Sequence, residues 1–160
     1  MARGAAASIP APAPDYRRCF FQSLGEAGWA PGAIILLNLL LTFGLDAYDR
    51  FPVIDIPMHL FGGMACAYAF HRGSLNASHY GVIGPYHPLT HHLLVLGGTC
   101  GVALLWEVGE YLSDVLFGTS SLGSSPDTLG DMLLGLLGAE AVLGAVSLRR
   151  GRHAGAWERS

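Results

Sequence analysis

Lysine is missing from this chain, and charge of either sign is scarce: nine arginines and twelve acidic residues make up 13% of its 160 residues. A soluble domain carries about a quarter charged residues, so a chain this poor in charge and 51% hydrophobic is expected to fold in a different solvent. The net charge of −3 provides no broad basic surface and excludes nucleic acid as the expected partner. Cysteine is sparse as well. Cys19, Cys66 and Cys100 show no paired spacing, and the last two fall in apolar stretches where cysteine behaves as a small hydrophobe, so no disulfide framework is expected. The opening stretch, MARGAAASIPAPAP, lacks the apolar core of a secretory signal and reads as a disordered lead-in. No internal repeat and no nucleophile motif is visible. Arginine as the sole basic residue, with abundant alanine and glycine, fits a GC-rich bacterial genome.

What the chain does have is long apolar runs. A spanning helix needs about 20 residues, and four segments are expected to supply one: residues 28–46, 54–71, 89–113 and 127–148. The fold class expected is all-α, a polytopic membrane protein built as a four-transmembrane-helix bundle with both termini cytoplasmic. The transmembrane domain would occupy residues 27–148, between an N-terminal disordered or interfacial segment (1–26) and a basic cytoplasmic tail (149–160). Pro31 and Pro57 suit the first turns of the first two spans, and Ser125-Pro126-Asp127 is a helix-start signature. The Gly-Ser run 118–125 reads as a loop, and 72–88, with its glycines, prolines and histidines, as a connector.

Arginine sets the orientation. With the N-terminus inside, Arg3, Arg17, Arg18, Arg72, Arg149, Arg150, Arg152 and Arg159 are cytoplasmic and only Arg50 is outside. That asymmetry supports an even number of spans in a bacterial inner (cytoplasmic) membrane. Small residues (Gly62, Gly63 and Ala65; Gly97 and Gly101; Gly135, Gly138 and Ala139) predict close contacts among the last three spans, while the Leu/Ile-rich first span faces lipid.

Ionisable residues interrupt these runs at helical spacing: Asp55 and His59, Glu107 and Glu110 with Asp114 beyond, and Asp127 and Asp131. Partners three or four residues apart share a helix face. In the arginine-defined topology all of them fall in the outer leaflet, where they are expected to form one pocket. An ionisable group in hydrocarbon costs roughly 3 kcal/mol on insertion scales. Carboxylates clustered in low dielectric need a cation, shared protons or a cationic ligand. His59, Glu107, Glu110, Asp131, Asp55 and Asp127 are therefore the candidate ligands of a divalent metal ion, a donor set suited to Mg²⁺, Mn²⁺, Ca²⁺, Zn²⁺ or non-haem iron. The bland reading makes Asp55 and Asp127 helix caps and leaves Asp114 in solvent. His71, His79, His87, His91 and His92 gather at the opposite side and read as an interfacial loop, with a cytoplasmic metal or haem site as the alternative; Glu107 lies about 22 Å along the helix from His92, too far to share a site.

Asp55-Ile-Pro-Met-His59-Leu-Phe-Gly-Gly, Trp106-Glu107-Val-Gly-Glu110 and Asp127-Thr-Leu-Gly-Asp131-Met, followed by Leu137-Gly138-Ala139, resemble in order the motifs of the YjdF-like bacterial inner-membrane proteins, a family of unknown function. More loosely they are similar to VanZ-like membrane proteins. The likeness covers residues 48–140 and implies membrane residence and a shared polar site, with no known activity. Pro57 inside the Asp-to-His spacing and the Gly-Ser run before Asp127 depart from the pattern.

The leading functional expectation is a metal-binding membrane protein acting on lipid-linked or envelope substrates. The alternatives are a structural or accessory subunit of a larger membrane complex, and a small proton- or cation-coupled transport component. Membrane lipids, a homo-oligomer or a larger membrane complex are the expected partners.

Overall fold

The computed structural model describes residues 13–119 and 122–157, and every element within them is helical. Residues 1–12 and 158–160, and with them Arg3 and Arg159 of the orientation count, lie outside the described residues. Asp15 caps α1 (Tyr16–Ala27) by accepting from the Arg18 amide. The chain breaks at Gly28 and resumes as α2 (Trp29–Leu39), bending by 54° between Tyr16–Ala27 and Trp29–Gly44. Two residues account for the break. Pro31 offers no N–H to the end of α1, and a Cβ on Gly28 would sit 2.6 Å from Leu24.

A π turn (Leu40–Gly44) follows, closed by the Leu45 amide donating to the Leu40 carbonyl at 3.0 Å. Asp46 then adopts the left-handed region (φ 52°), which the short polar side chains of Asp and Asn tolerate better than most. One turn of helix, α3 (Ala47–Arg50), leads through a 3₁₀ turn into α4 (Asp55–His79). α5 (Pro88–Phe117) and α6 (Ser125–Trp157) complete the chain.

Three helical stretches, Pro52–His79, Pro88–Phe117 and Ser125–Arg149, are long and apolar enough to cross a membrane, and the bent α1–α2 pair is a candidate fourth. The protein is a polytopic helical membrane protein. Its surface agrees: Leu36, Phe43, Leu105 and Leu116 are each more than half exposed, which is tenable against lipid.

The helices outrun the expected segments. Residues 16–26, expected to be disordered or interfacial, are helical, which overturns only the disordered half of that expectation; α4 continues through 72–79, which the sequence marks as a connector; and α6 runs into the basic tail. The second extension has a visible cause. α1 lies antiparallel along the last turns of α4, with the Asp15 amide donating to the Tyr80 carbonyl at 3.1 Å. Arg72 reaches Glu26 Oε2 with Nε at 3.1 Å and Nη2 at 2.6 Å, and Asn76 Nδ2 donates to the same oxygen at 3.1 Å. Tertiary partners thus hold as helix a stretch whose composition alone reads as loop. Replacing Arg72 with Met is expected to release α1, seen as faster proteolysis near Gly28 with α4 to α6 still protected.

α4 is the central helix, packed against α1, α2, α5 and α6. Its closest neighbour is α6, and glycine is the reason. A Cβ on Gly63 would fall 2.0 Å from the Gly135 carbonyl oxygen, and one on Gly138 would fall 2.2 Å from that of Leu60. Ala67, Val95, Ala139 and Leu143 form the small buried core among α4, α5 and α6. The glycine spacing on α5 works differently from expectation: Gly98 packs against Phe70, whereas a Cβ on Gly97 or Gly101 would meet nothing within 4 Å. Gly138→Ala must push two backbones apart. It is expected to cost about 1–3 kcal/mol or more, measurable as a lowered melting temperature in detergent, while Gly97→Ala should be nearly neutral.

Candidate functional site

Asp55 opens α4, and His59 follows one turn later on the same face, placing His59 Nε2 3.3 Å from Asp55 Oδ1. Close glycine packing brings α6 alongside, so Asp131 Oδ2 lies 3.9 Å from the same imidazole nitrogen. One ligand-capable atom from each of Asp55, His59 and Asp131 falls within 4.8 Å of the others, a separation an ion with bonds of about 2.0–2.6 Å can bridge. Asp131 is buried at 8% exposure and Asp55 only partly so, which leaves one side of the group open.

α5 adds two carboxylates. Glu107 is 5% exposed and faces the Thr128 side chain, yet its Oε2 has no hydrogen-bond partner among the described residues. It lies within electrostatic reach of His59, Asp55 and Asp127. A buried acceptor left without a partner costs about 1–3 kcal/mol, more when charged. Glu110, one turn on, accepts from Trp106 Nε1 at 2.9 Å and lines a cavity between α2, α4 and α5.

The remaining acidic residues of this region are placed apart. Asp127 is exposed in the first turn of α6 with its carboxylate over Gly123, as a residue serving the helix start would be. Asp114 closes the loop after α5: Oδ1 accepts from Thr119 Oγ1 at 2.6 Å and Oδ2 from the Leu122 amide at 3.0 Å. Among the described residues no arginine pairs with Asp55, Glu107, Glu110, Asp127 or Asp131; His59 is the only cationisable group in the cluster's ion pairs.

Two residues here escape the sequence reading. Tyr48 and Asn38 line the same cavity, and the Tyr48 hydroxyl donates to Asn38 Oδ1 at 2.5 Å. Burial first, then the Asp55 and Glu110 carboxylates, push the Tyr48 phenol up to about 12, so it stays a neutral donor at physiological pH. The available signal was Asn38 itself, a lone amide in the run Leu36-Leu37-Asn38-Leu39-Leu40.

The second histidine group does not form the expected interfacial loop. His71 and His91 are buried in α4 and α5, with His71 Nδ1 2.8 Å from His91 Nε2. Ser74 Oγ lies 3.1 Å and the Tyr86 hydroxyl 3.3 Å from His91 Nδ1, and the Tyr86 ring stacks on the imidazole. His92 meets Glu140 at 3.0 Å, and His87 caps α5 by accepting from the Leu89 amide. Ala67 and Val95, both fully buried, separate this end of the α4–α5 seam from the Asp55 end.

Fold and site together define a polytopic helical membrane protein with a carboxylate–histidine cluster at one end of its bundle. The chain belongs to the family described as "Predicted membrane protein (DUF2238)", which matches residues 24–152 and so takes in every residue of the cluster. No curated protein and no solved structure matches it.

Proposed function

We propose that this protein is a multi-pass bacterial inner-membrane protein that binds a divalent metal ion near the outer face, through Asp55, His59 and Asp131. Glu107 and Glu110 stand beside the ion, one completing its coordination or acting as a base toward a ligand, and Asp127 contributes charge from the helix start. Within its family we infer a YjdF-like protein, on the order of the three motifs. The observation that carries the reading is the convergence of three ligand atoms within 4.8 Å next to a buried carboxylate oxygen that has no hydrogen-bond partner among the described residues. Several carboxylates in a low-dielectric region without an arginine repel one another, and a divalent ion offsets that repulsion. When bound, such an ion polarises a phosphoryl or carbonyl oxygen, or acidifies a bound water. Site and membrane together favour substrates that arrive from the envelope side or through the bilayer.

Elemental analysis of protein purified in mild detergent tests this. Wild type is expected to carry stoichiometric metal, and Asp131→Asn to carry little while remaining folded. A folded wild type with no metal, and none taken up on dialysis against Mg²⁺, Mn²⁺, Ca²⁺, Zn²⁺ or Fe²⁺, contradicts the proposal.

A further inference from the structure

A slot of about 140 Å³ runs beside the cluster, walled by α2, α4 and α5. Asp55, His59, Glu110 and Tyr48 gather at one end, while the walls beyond them are mostly apolar, with Thr99 as the polar exception at the deep end. α2 packs along α4 and makes no comparable packing against α5, so the slot faces sideways between α2 and α5, toward the bilayer. Its depth can be read on either wall. From Asp55 to Cys66 on α4, and from Glu110 to Thr99 on α5, the helix advances eleven residues, or about 16 Å. That is about half of a hydrocarbon core roughly 30 Å thick, the reach of one leaflet. At the deep end Thr99 is 1% exposed, and its hydroxyl has no hydrogen-bond partner among the described residues.

We propose that the slot binds a single-chain lipid phosphate, its chain lying between α2 and α5 and its phosphate held by the ion at Asp55, His59 and Asp131. This rests on the cation reading above. The enclosed space of about 140 Å³ takes roughly six carbons of one chain, the rest of which lies in the lateral gap between α2 and α5, and the mostly apolar walls stabilise it by burying its surface. The head group follows from charge. Among the described residues no arginine lines the slot, so its carboxylate mouth repels a bare phosphate. An ion with three protein ligands keeps coordination positions open, and phosphate oxygens are suited to fill them. An amine head group would compete with the ion for the same carboxylates. Trp106, whose Nε1 is committed to Glu110, stands on the wall beside the passing chain.

The test uses the full chain in maltoside micelles, with radiolabelled dodecyl phosphate as probe and retention by immobilised protein as readout. Mn²⁺ is expected to raise dodecyl phosphate affinity about tenfold or more over chelator, and inorganic phosphate to bind about tenfold more weakly than the lipid. Gly62→Leu, which points a side chain into the slot past Ile34, is expected to lose lipid binding by a similar factor while Mn²⁺ affinity is unchanged. Ile35→Trp, on the α2 wall, is expected to do the same and serves if Gly62→Leu does not fold. The inference is overturned, and the cation site left standing, if Mn²⁺ binds but dodecyl phosphate binds no better than inorganic phosphate. Lipid binding that is equal in chelator, that persists in the folded slot variants, or that prefers dodecyltrimethylammonium has the same consequence. A wild type that binds no Mn²⁺ overturns both.

Discussion

Metal-stripped wild-type protein is expected to gain about 2.7 kcal/mol of stability when a divalent ion is supplied at about a hundredfold excess over its dissociation constant, by mass action on the folded state. Asp131→Asn should gain almost nothing under the same conditions. The reasoning is geometric. Asp131 is the only ligand of the three supplied by α6, so the ion links α4 to α6 where glycine packing already brings them together. The amide keeps the shape but loses the charge, and its oxygen is a weaker donor. His59→Ala should behave alike and lose affinity by more than the roughly 10–100-fold typical of an outer-shell residue. Thermal denaturation in detergent, with and without metal, reads both. Equal stabilisation of wild type and Asp131→Asn would show the ion bound elsewhere.

Glu107→Leu is expected to move stability in opposite directions depending on the ion. In chelator the wild type holds a buried carboxyl group with one oxygen unpartnered among the described residues, and Asp55 and Asp127 oppose its charge while His59 and Thr128 offset only part of that. Replacing a poorly compensated buried charge by a well-packed apolar side chain is often stabilising by about 1–4 kcal/mol. The variant should therefore melt higher than wild type when metal is absent. With metal present the order should reverse or the gap close, because the variant has lost a carboxylate that stabilises the ion. A variant that melts lower in both conditions would mean that Glu107 serves the packing of the bundle through Thr128 rather than a cation.

Hydropathy and length made the helices legible, because in lipid only closed hydrogen-bonded helices or barrels can carry the backbone across. Helix ends were less legible. Residues 72–79 look like a connector and are helical because Arg72 and Asn76 find Glu26 on α1, a contact nearly fifty residues away in sequence. Spacing placed each acidic pair on one helix face but could not say which member turns inward. Asp131 meets His59 while Asp127, one turn earlier, lies over the loop. Glu107 and Glu110 diverge similarly, one toward Thr128 of α6 and the other into the slot. Tyr48 meets Asn38 only because a π turn and a left-handed Asp46 reverse the chain between them. His71 and His91 meet because α4 and α5 run antiparallel, and their burial follows from that packing rather than from their local sequence.

The central claim is an ion bonded to His59 within a carboxylate cluster, and pulsed electron paramagnetic resonance of one equivalent of Mn²⁺ on metal-stripped protein tests it most directly. Mn²⁺ accepts the oxygen and imidazole ligands offered here. The account predicts nitrogen modulation from a directly bonded imidazole, lost in His59→Ala and unchanged in His71→Ala. A spectrum of fully hydrated Mn²⁺, or nitrogen modulation that survives in His59→Ala, would contradict it.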